Sequence, residues 1–272
     1  MQPKASKLQL PTDHLSPTQI DMYLRCGQQY YFRYVLGVKS PPGVNLVDGG
    51  SHHDTLDNNN KYKIKTGRDR PVKYLVQKFC DTFNTEAKTI PKREWRLAET
   101  TKDKVINRGK LIQTQYHKHF APHLIPKFCE YEVMFKIGEV DVLGYVDVGG
   151  TYLHVKGVFD YKTSTKLKSD NELKGSVALS HYGWGTLDLL GNSLKDPPHV
   201  GYCILKKTGD SKPLFQSTPL TAHRIKWYRQ QVLSVANSIS LGSFPVRSAV
   251  GWECCEKYCG YWSRCRGKTQ KD

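Results

Sequence analysis

Apolar residues along this chain recur first at three- and four-residue spacing, then at alternate positions, then at helical spacing again, and these changes of period mark out the elements. The first helix opens at Leu15-Ser16-Pro17-Thr18-Gln19-Ile20. Ser16 is a good N-cap, Pro17 suits the first helical position, Gln19 completes a capping box, and Leu15 and Ile20 form a hydrophobic staple. The helix is expected to run through Tyr23, Leu24, Tyr30 and Tyr34, with Cys26 inside it, and to end near Gly37 before Pro41-Pro42-Gly43. Val72, Leu75, Val76, Phe79 and Phe83 predict a second helix after Pro71, and a weaker pattern from Trp95 to Phe120 predicts a third.

The period then shortens. Residues 128–137, 140–148 and 155–162 are rich in Val, Tyr, Phe and Ile with partial alternation and predict strands. A helix near 176–191, strands near 199–206 and 213–219, and a last helix from about Thr221 to Leu241 complete the pattern. Helices, a strand meander, then helix, strand and helix suit an α/β sheet domain with a helical insertion. One domain over 1–272 is expected, with an N-terminal helix in 14–40, the insertion in 60–125, a core in 126–245 and a cysteine-rich segment in 246–272. No internal repeat or low-complexity segment occurs.

Charge changes the picture next. Forty-one Lys and Arg against twenty-five Asp and Glu give a formal net charge of +16, which favours a polyanionic partner because each phosphate contact releases a counterion. The sequence has no apolar run long enough to span a bilayer and no signal-like start. A cytoplasmic protein with no membrane partner is therefore expected, and there disulfides are disfavoured. Of the eight cysteines, Cys80, Cys129 and Cys203 stand singly in apolar stretches and read as core. Cys254, Cys255, Cys259 and Cys265 crowd into the tail and ask for a metal or a cluster.

The candidate chemistry lies in Val158-Phe159-Asp160-Tyr161-Lys162-Thr163, preceded by Gly144-Tyr145-Val146-Asp147. On a strand, Asp160 and Lys162 share a face. Asp160 and Asp147 would hold one or two hard cations such as Mg²⁺ or Mn²⁺, and Lys162 would orient a water or stabilise charge during phosphodiester hydrolysis. Alone, Asp-x-Lys on a strand is an ordinary ion pair. A tight turn at Gly149-Gly150 would leave Asp147 about 25 Å from Asp160 at strand rise and set Glu139 there instead. A shared cation therefore predicts a wider reversal centred near Leu153. Gly50-Ser51-His52-His53 places a histidine after a glycine-rich loop at a helix start, and His53 is a further candidate ligand. Glu130 and Glu132 are carboxylates on the preceding strand, expected on one face. In Arg224-Ile225-Lys226-Trp227-Tyr228-Arg229, basic and aromatic residues interleave as in surfaces that stack unpaired bases, but Ile225 and Tyr228 read as core.

Together these motifs resemble the RecB-like branch of the PD-(D/E)XK nucleases, which includes phage exonucleases, AddB-type nuclease domains and the CRISPR-adaptation nuclease. The likeness rests on the Leu15-Ser16-x-Thr18 helix with Cys26 and Tyr30-Tyr31-Phe32, on Gly50 to His53 to Leu56, on Gly144 to Asp147, and on Phe159 to Ser164. It spans almost the entire chain. It implies a restriction-endonuclease-like core, a mixed central sheet flanked by helices, in which His53, Asp147 and Asp160 bind Mg²⁺ or Mn²⁺ and Lys162 is the catalytic lysine. The family adds a Gln and, four residues later, a Tyr on the next helix. Here Leu179-Ser180-His181-Tyr182-Gly183-Trp184 lacks that pair, leaving Ser180 and Trp184 nearest its places and His181 and Tyr182 as substitutes that support the lysine or contact DNA.

The resemblance also implies a 4Fe–4S cluster held by Cys26, Cys254, Cys259 and Cys265, with Cys255 the alternative to Cys254 and a structural zinc the alternative to the cluster. The expected activity is a DNA exonuclease acting on single-stranded or frayed ends. The alternatives are an endonuclease of CRISPR-adaptation or structure-specific type, or a nucleic-acid-binding module without chemistry. No Gly-x-x-x-x-Gly-Lys-Ser/Thr loop occurs, so unwinding would come from a helicase or recombination partner.

Overall fold

The computed structural model describes residues 9–248, 251 and 253–266. In chain order the elements are α1 (Pro17–Arg25), α2 (Gly27–Tyr30), a π turn (Tyr31–Val35), α3 (Val44–Thr66), α4 (Val72–Glu86), α5 (Lys92–Leu97), α6 (Lys102–His119), β1 (Leu124–Ile137), β2 (Val140–Tyr152), β3 (Val155–Ser164), α7 (Asp170–Lys174), α8 (Val177–Gly185), α9 (Leu187–Leu190), β4 (His199–Lys206), β5 (Leu214–Pro219), α10 (Ala222–Ser240) and α11 (Trp262–Cys265). The strands form one mixed sheet in the order β1-β2-β3-β4-β5. β2–β3 and β4–β5 are antiparallel and β3–β4 is parallel. A parallel neighbour needs a crossover, and α7, α8 and α9 supply it. The expected α/β class with a mixed, helix-flanked sheet is what forms. No described helix is long and apolar enough to cross a membrane.

The chain divides into two compact units, one of Pro41–Val133 and Tyr145–Arg224 and one of Met1–Ser40, Met134–Gly144 and Ile225–Asp272. In the first, Phe159 and Tyr161 of β3, Val148 and Tyr152 of β2, and Cys203 and Leu205 of β4 bury themselves against Leu56, Leu75, Ile112, Tyr116 and Phe120 of α3, α4 and α6. Odd positions of β3 fill this core, so strand alternation turns Asp160 and Lys162 to the opposite face. A second cluster, Val44, Val47, Phe79, Phe83 and Val105, packs α3 and α4 against α6.

Several elements differ from expectation. The N-terminal helix breaks at Cys26, which is extended (φ −165°, ψ 108°) and ends α1 through its N–H to Met22 O before α2 starts at Gly27. A side chain at Gly27 would strike Pro245 and the Phe244 backbone, so close packing of the chain ends within their unit dictates both the glycine and the break. Tyr23 Oη donates to Ser243 O at 2.6 Å in the same contact. His53 does not start a helix but lies in mid-α3, whose 23 residues bury Val44, Val47, His52 and Leu56. That buried face outweighs the cost of two interior glycines, about 1 kcal/mol each. The Trp95–Phe120 pattern splits into α5 and α6 at Glu99 (φ 51°), with Thr101 capping α6. Of the expected 246–272 segment, Trp252 and residues 249, 250 and 267–272 lie outside the described residues.

The reversal between β2 and β3 is centred where the shared-cation geometry requires, but it is tight rather than wide. Tyr152 pairs with Val155, leaving a two-residue turn at Leu153 and His154, with Leu153 in the left-handed region (φ 53°). Gly149 and Gly150 lie inside β2. A methyl group at 149 would overlap the Phe128 ring, and one at 150 would overlap the Ile125 carbonyl and Pro126. The glycines mark a close backbone approach by β1, not a turn. Glu130 and Glu132 do not share a face by simple alternation. Glu130 has φ 44°, and buried β1 positions change parity across it, from Leu124 and Pro126 to Val133 and Ile137. Cys80 and Cys203 are buried as expected, whereas Cys129 is only half-buried and faces the Asp57 carboxylate.

Helix α3 is pinned to the ends of β3 and β4 by a buried charge cluster. Lys207 Nζ reaches Asp48 Oδ2 at 2.8 Å and Asn45 Oδ1 at 3.1 Å, and its N–H donates to Ser164 O. His52 stands 3.4 Å from Asp48 and bonds Gln113 of α6 at 2.7 Å. Burial alone would raise the Asp48 carboxyl, but His52 and Lys207 outweigh it and hold it at about 2.

Two outcomes follow. Gly150→Ala forces apart two backbones and is expected to cost roughly 1–3 kcal/mol in chemical denaturation. Lys207→Met leaves Asp48 with one partner and is expected to cost about 3 kcal/mol at pH 7. Because the folded carboxyl is depressed, that loss is full above the ordinary carboxylate value of 3.8 and shrinks as pH falls towards about 2. Melting curves of the variant and parent should therefore converge on acidification.

Candidate active site

The β2–β3 ladder runs from Tyr152↔Val155 to Val148↔Phe159. At the next step the side chain of Asp147 takes over, its Oδ2 accepting the Tyr161 N–H at 2.8 Å. This bond ties the carboxylate of one strand to the backbone of the next and brings Asp147 beside Asp160. Asp160 is 4 % exposed, and its Oδ2 meets Lys162 Nζ at 2.6 Å. His53 Nδ1 of α3 lies 3.3 Å from Asp147 Oδ2. The four residues that the sequence singles out, His53, Asp147, Asp160 and Lys162, are thus brought together from α3, β2 and β3 within one unit.

Their charges are strongly coupled. Burial raises the Asp160 carboxyl above its ordinary range and the Asp147 charge adds to the rise, against the opposing pull of Lys162. Burial works against the Lys162 ammonium, but Asp160 and then Asp147 outweigh it and raise its pKa. Burial likewise opposes protonation of His53, and its hydrogen bond and charge contact with Asp147 win, so it too is raised. A buried carboxylate beside a second carboxylate is stabilised in its charged form by a further cation. The donors, two carboxylates and an imidazole, suit a hard or borderline divalent cation. Among the described residues no three His, Cys, Asp or Glu side chains are already arranged around one ion. Each carboxylate is instead engaged by the chain's own donors.

Supporting groups surround this centre. Tyr161 Oη accepts from Asn60 Nδ2 at 3.0 Å and lies 3.0 Å from Tyr116 Oη, which fixes the residue whose N–H holds Asp147. Asp57, one turn after His53 on α3, pairs with Lys61 at 2.6 Å. Burial, then the charges of Asp147 and Asp57, raise the Glu130 carboxyl, which places Glu130 beside the site, whereas Glu132 accepts from Tyr145 Oη at 2.8 Å. Asn60 and Tyr116 left no trace in the sequence pattern, but Asp57 could have been found four residues beyond His53 on the same helical face.

Helix α8 buries two of the four residues expected to support the lysine or contact DNA. Ser180 and His181 are fully buried and offer no surface to DNA. Ser180 Oγ donates to Ser176 O at 2.7 Å and accepts from Arg224 Nε at 2.8 Å. His181 Nε2 lies 3.0 Å from Val133 O, and burial pushes its pKa down to about 4, so it is neutral. Tyr182 and Trp184 are partly exposed. The physical reason is the packing of α8 flat on β3 and β4, which turns the Ser180–His181 side inward.

In the other unit, Cys26, Cys254, Cys259 and Cys265 line one small cavity together with Gln29, Arg25, Arg247 and Arg266. Burial raises the Cys265 thiol, Arg266 opposes the rise, and the charges of Cys26, Cys259 and Cys254 add to it. Cys255 does not line that cavity. Gln29 Nε2 donates to Cys259 Sγ at 3.2 Å.

Comparison with known proteins gives the family. The model of the PD-(D/E)XK nuclease superfamily matches residues 14–266. No curated protein matches the chain. Among solved structures, one from Eubacterium rectale described as a "Putative exonuclease" superposes with a TM-score of 0.56 at 10% identity, covering 95% of this chain and 92% of that one. At this identity the likeness is one of fold. Scheffersomyces stipitis Rai1, in complex with (3'-NADP)+ and calcium ion, covers 86% of this chain and 71% of that one at 14% identity, but its TM-score of 0.19 carries no argument. The family match takes in His53, Asp147, Asp160 and Lys162 as well as Cys26 and the tail cysteines to Cys265. This chain belongs to the PD-(D/E)XK nuclease superfamily.

Proposed function

We propose that this chain is a metal-dependent DNA exonuclease that hydrolyses phosphodiester bonds from single-stranded or frayed ends. The observation that carries the reading is the convergence of the buried Asp160 carboxylate, paired with Lys162 at 2.6 Å, and Asp147, which His53 approaches at 3.3 Å. His53, Asp147 and Asp160 would hold Mg²⁺ or Mn²⁺, as divalent-metal use in this superfamily leads one to expect. Bound there, the ion would lower the pKa of a water and offset charge developing on the phosphate. The protein's own contribution is positional. Tyr161 N–H holds Asp147 in place, the α3 anchor presents His53, and Lys162, its side chain 43% exposed, presents an ammonium to a phosphate oxygen or to the attacking water. The net charge of +16 draws the polyanion towards this surface. Duplex DNA would be consumed once a helicase or recombination partner has opened it.

The same proposal gives the cavity in the other unit a 4Fe–4S cluster ligated by Cys26, Cys254, Cys259 and Cys265. Hydrolysis transfers no electrons, so the cluster would fasten the chain ends rather than take part in the reaction. Cys254 rather than Cys255 is the ligand because it alone of the two lines the cavity. The Gln29 amide that donates to Cys259 Sγ would tune such a cluster through a hydrogen bond to a ligand sulfur.

End-labelled single-stranded DNA should be degraded with Mg²⁺ or Mn²⁺ and left intact with EDTA. Lys162→Ala should lower the rate about 10²–10³-fold while DNA binding persists. Circular single-stranded DNA should survive, and its cleavage would establish an endonuclease. Millimolar Mn²⁺ should raise the melting temperature of the parent and not that of Asp160→Asn, since an ion that binds the folded state alone stabilises it. Protein purified without oxygen should be brown, absorb near 400 nm and carry four iron and four sulfide per chain. A colourless protein carrying one zinc would replace the cluster with a structural zinc site.

A further inference from the structure

Beside the acidic pair, β2 carries an aromatic side chain that the core does not use. Val146 and Val148 are fully buried, so strand alternation turns Tyr145, Asp147 and position 149 to the opposite face. Tyr145 is 49% exposed. Two residues of strand set it about 7 Å from Asp147, within the reach of one nucleotide. Its Oη donates to Glu132 Oε2 of β1 at 2.8 Å. A tethered ring has already lost rotamer freedom that binding would otherwise cost.

Aromatic surface also lies on the other side of Asp147. A methyl group at Gly149 would overlap the Phe128 ring, so that ring covers β2 on the Asp147 face. Phe128 packs on Tyr131, with ring centroids 5.2 Å apart, and Tyr131 is 41% exposed. Asp147 therefore stands between aromatic rings along its strand.

The order of the strands gives this face a polarity. Across the sheet run β3 with Lys162, β2 with Asp147 and Tyr145, and β1 with Glu132. The ammonium on the β3 side attracts a phosphate, whereas the carboxylate on the β1 side repels one. The backbone of a bound strand is thus favoured over β3, and Tyr145 is left to meet a base. In a duplex that base is already stacked and paired, and it would have to give up both to reach the ring. An unpaired base gives up neither partner strand nor pairing, and every base has a face to stack.

Resting on the nuclease reading above, we infer that Tyr145 contacts the substrate, stacking on the unpaired base next to the scissile phosphate and so selecting single-stranded over duplex ends. Glu132 orients the ring and touches no base.

The test measures DNA binding by fluorescence anisotropy in EDTA, where nothing is cut. Tyr145→Ala is expected to weaken binding of a linear single-stranded oligonucleotide about 10–100-fold and to leave a blunt duplex within about twofold. Tyr145→Phe, which keeps the ring and loses only the tether, should lose less. A second measurement needs no variant. Oligonucleotides with one abasic residue at successive positions should bind the parent more weakly at one position, and in Tyr145→Ala that dip should vanish. Parent-like single-strand affinity in Tyr145→Ala, an equal loss on duplex, or an abasic scan that is flat in the parent would overturn the inference. These readouts concern binding alone, so they leave the nuclease reading to cleavage with Mg²⁺ or Mn²⁺. A parent that binds single strands with the expected dip and cuts with neither metal would overturn the nuclease reading and leave Tyr145 as a base-stacking residue.

Discussion

The arrangement of the site depends on one hydrogen bond, from the Tyr161 N–H to the Asp147 carboxylate. Backbone groups inside a sheet must be paired, and the usual partner for this N–H would be a carbonyl of the neighbouring strand. Here a side chain takes that place. The substitution locks one acidic residue against the strand that carries the other, and it does so without a flexible loop. Like charges brought this close repel, and burial of Asp160 sharpens the repulsion. Lys162 and His53 answer it from β3 and α3, so the site is a compact balance of two anions against two cationic groups. The fold carries this stress through the core beneath it, where Tyr161 is tied to Asn60 and Tyr116 and packed among Phe159, Leu56 and Ile112.

From that bond the surrounding design follows. For Asp147 to stand beside Asp160, β2 and β3 must reverse at Leu153 and His154, and β1 must approach β2 closely enough that only glycine fits at 149 and 150. For His53 to reach Asp147, α3 must lie over the end of β3, where the Asp48–Lys207 pair fixes it. In the other unit the chain ends are held by aromatic packing of Tyr23, Tyr30 and Tyr31 around Phe244 and by the approach of Gly27 to Pro245. The break at Cys26 belongs to that packing.

Much of this was legible from the amino acids. Alternation placed Asp160 and Lys162 on one face, and the requirement of a shared cation placed the reversal near Leu153 when local turn propensity pointed to Gly149-Gly150. The glycines misled because glycine serves turns and close approaches alike, and only the position of β1 distinguishes the two. His53 was recognised while its setting was not, since Gly49 and Gly50 read as a loop although the buried face of α3 carries the helix through them. Glu130 and Glu132 were paired by a rule that fails wherever a residue turns to positive φ. Ser180 and His181 were expected to support the lysine or contact DNA; α8 buries both against β3 and β4, which leaves them no surface for DNA, and orientation of a short helix is a tertiary property.

The claim on which the account rests is that Asp147 and Asp160 ligate one and the same divalent cation. Crystals of the protein grown with Mn²⁺ and measured at the manganese absorption edge test it directly. An anomalous peak bridging the two carboxylates, with His53 at its side, is the predicted result. Full-occupancy manganese elsewhere with none between Asp147 and Asp160, at an ion concentration that supports DNA cleavage, would contradict it.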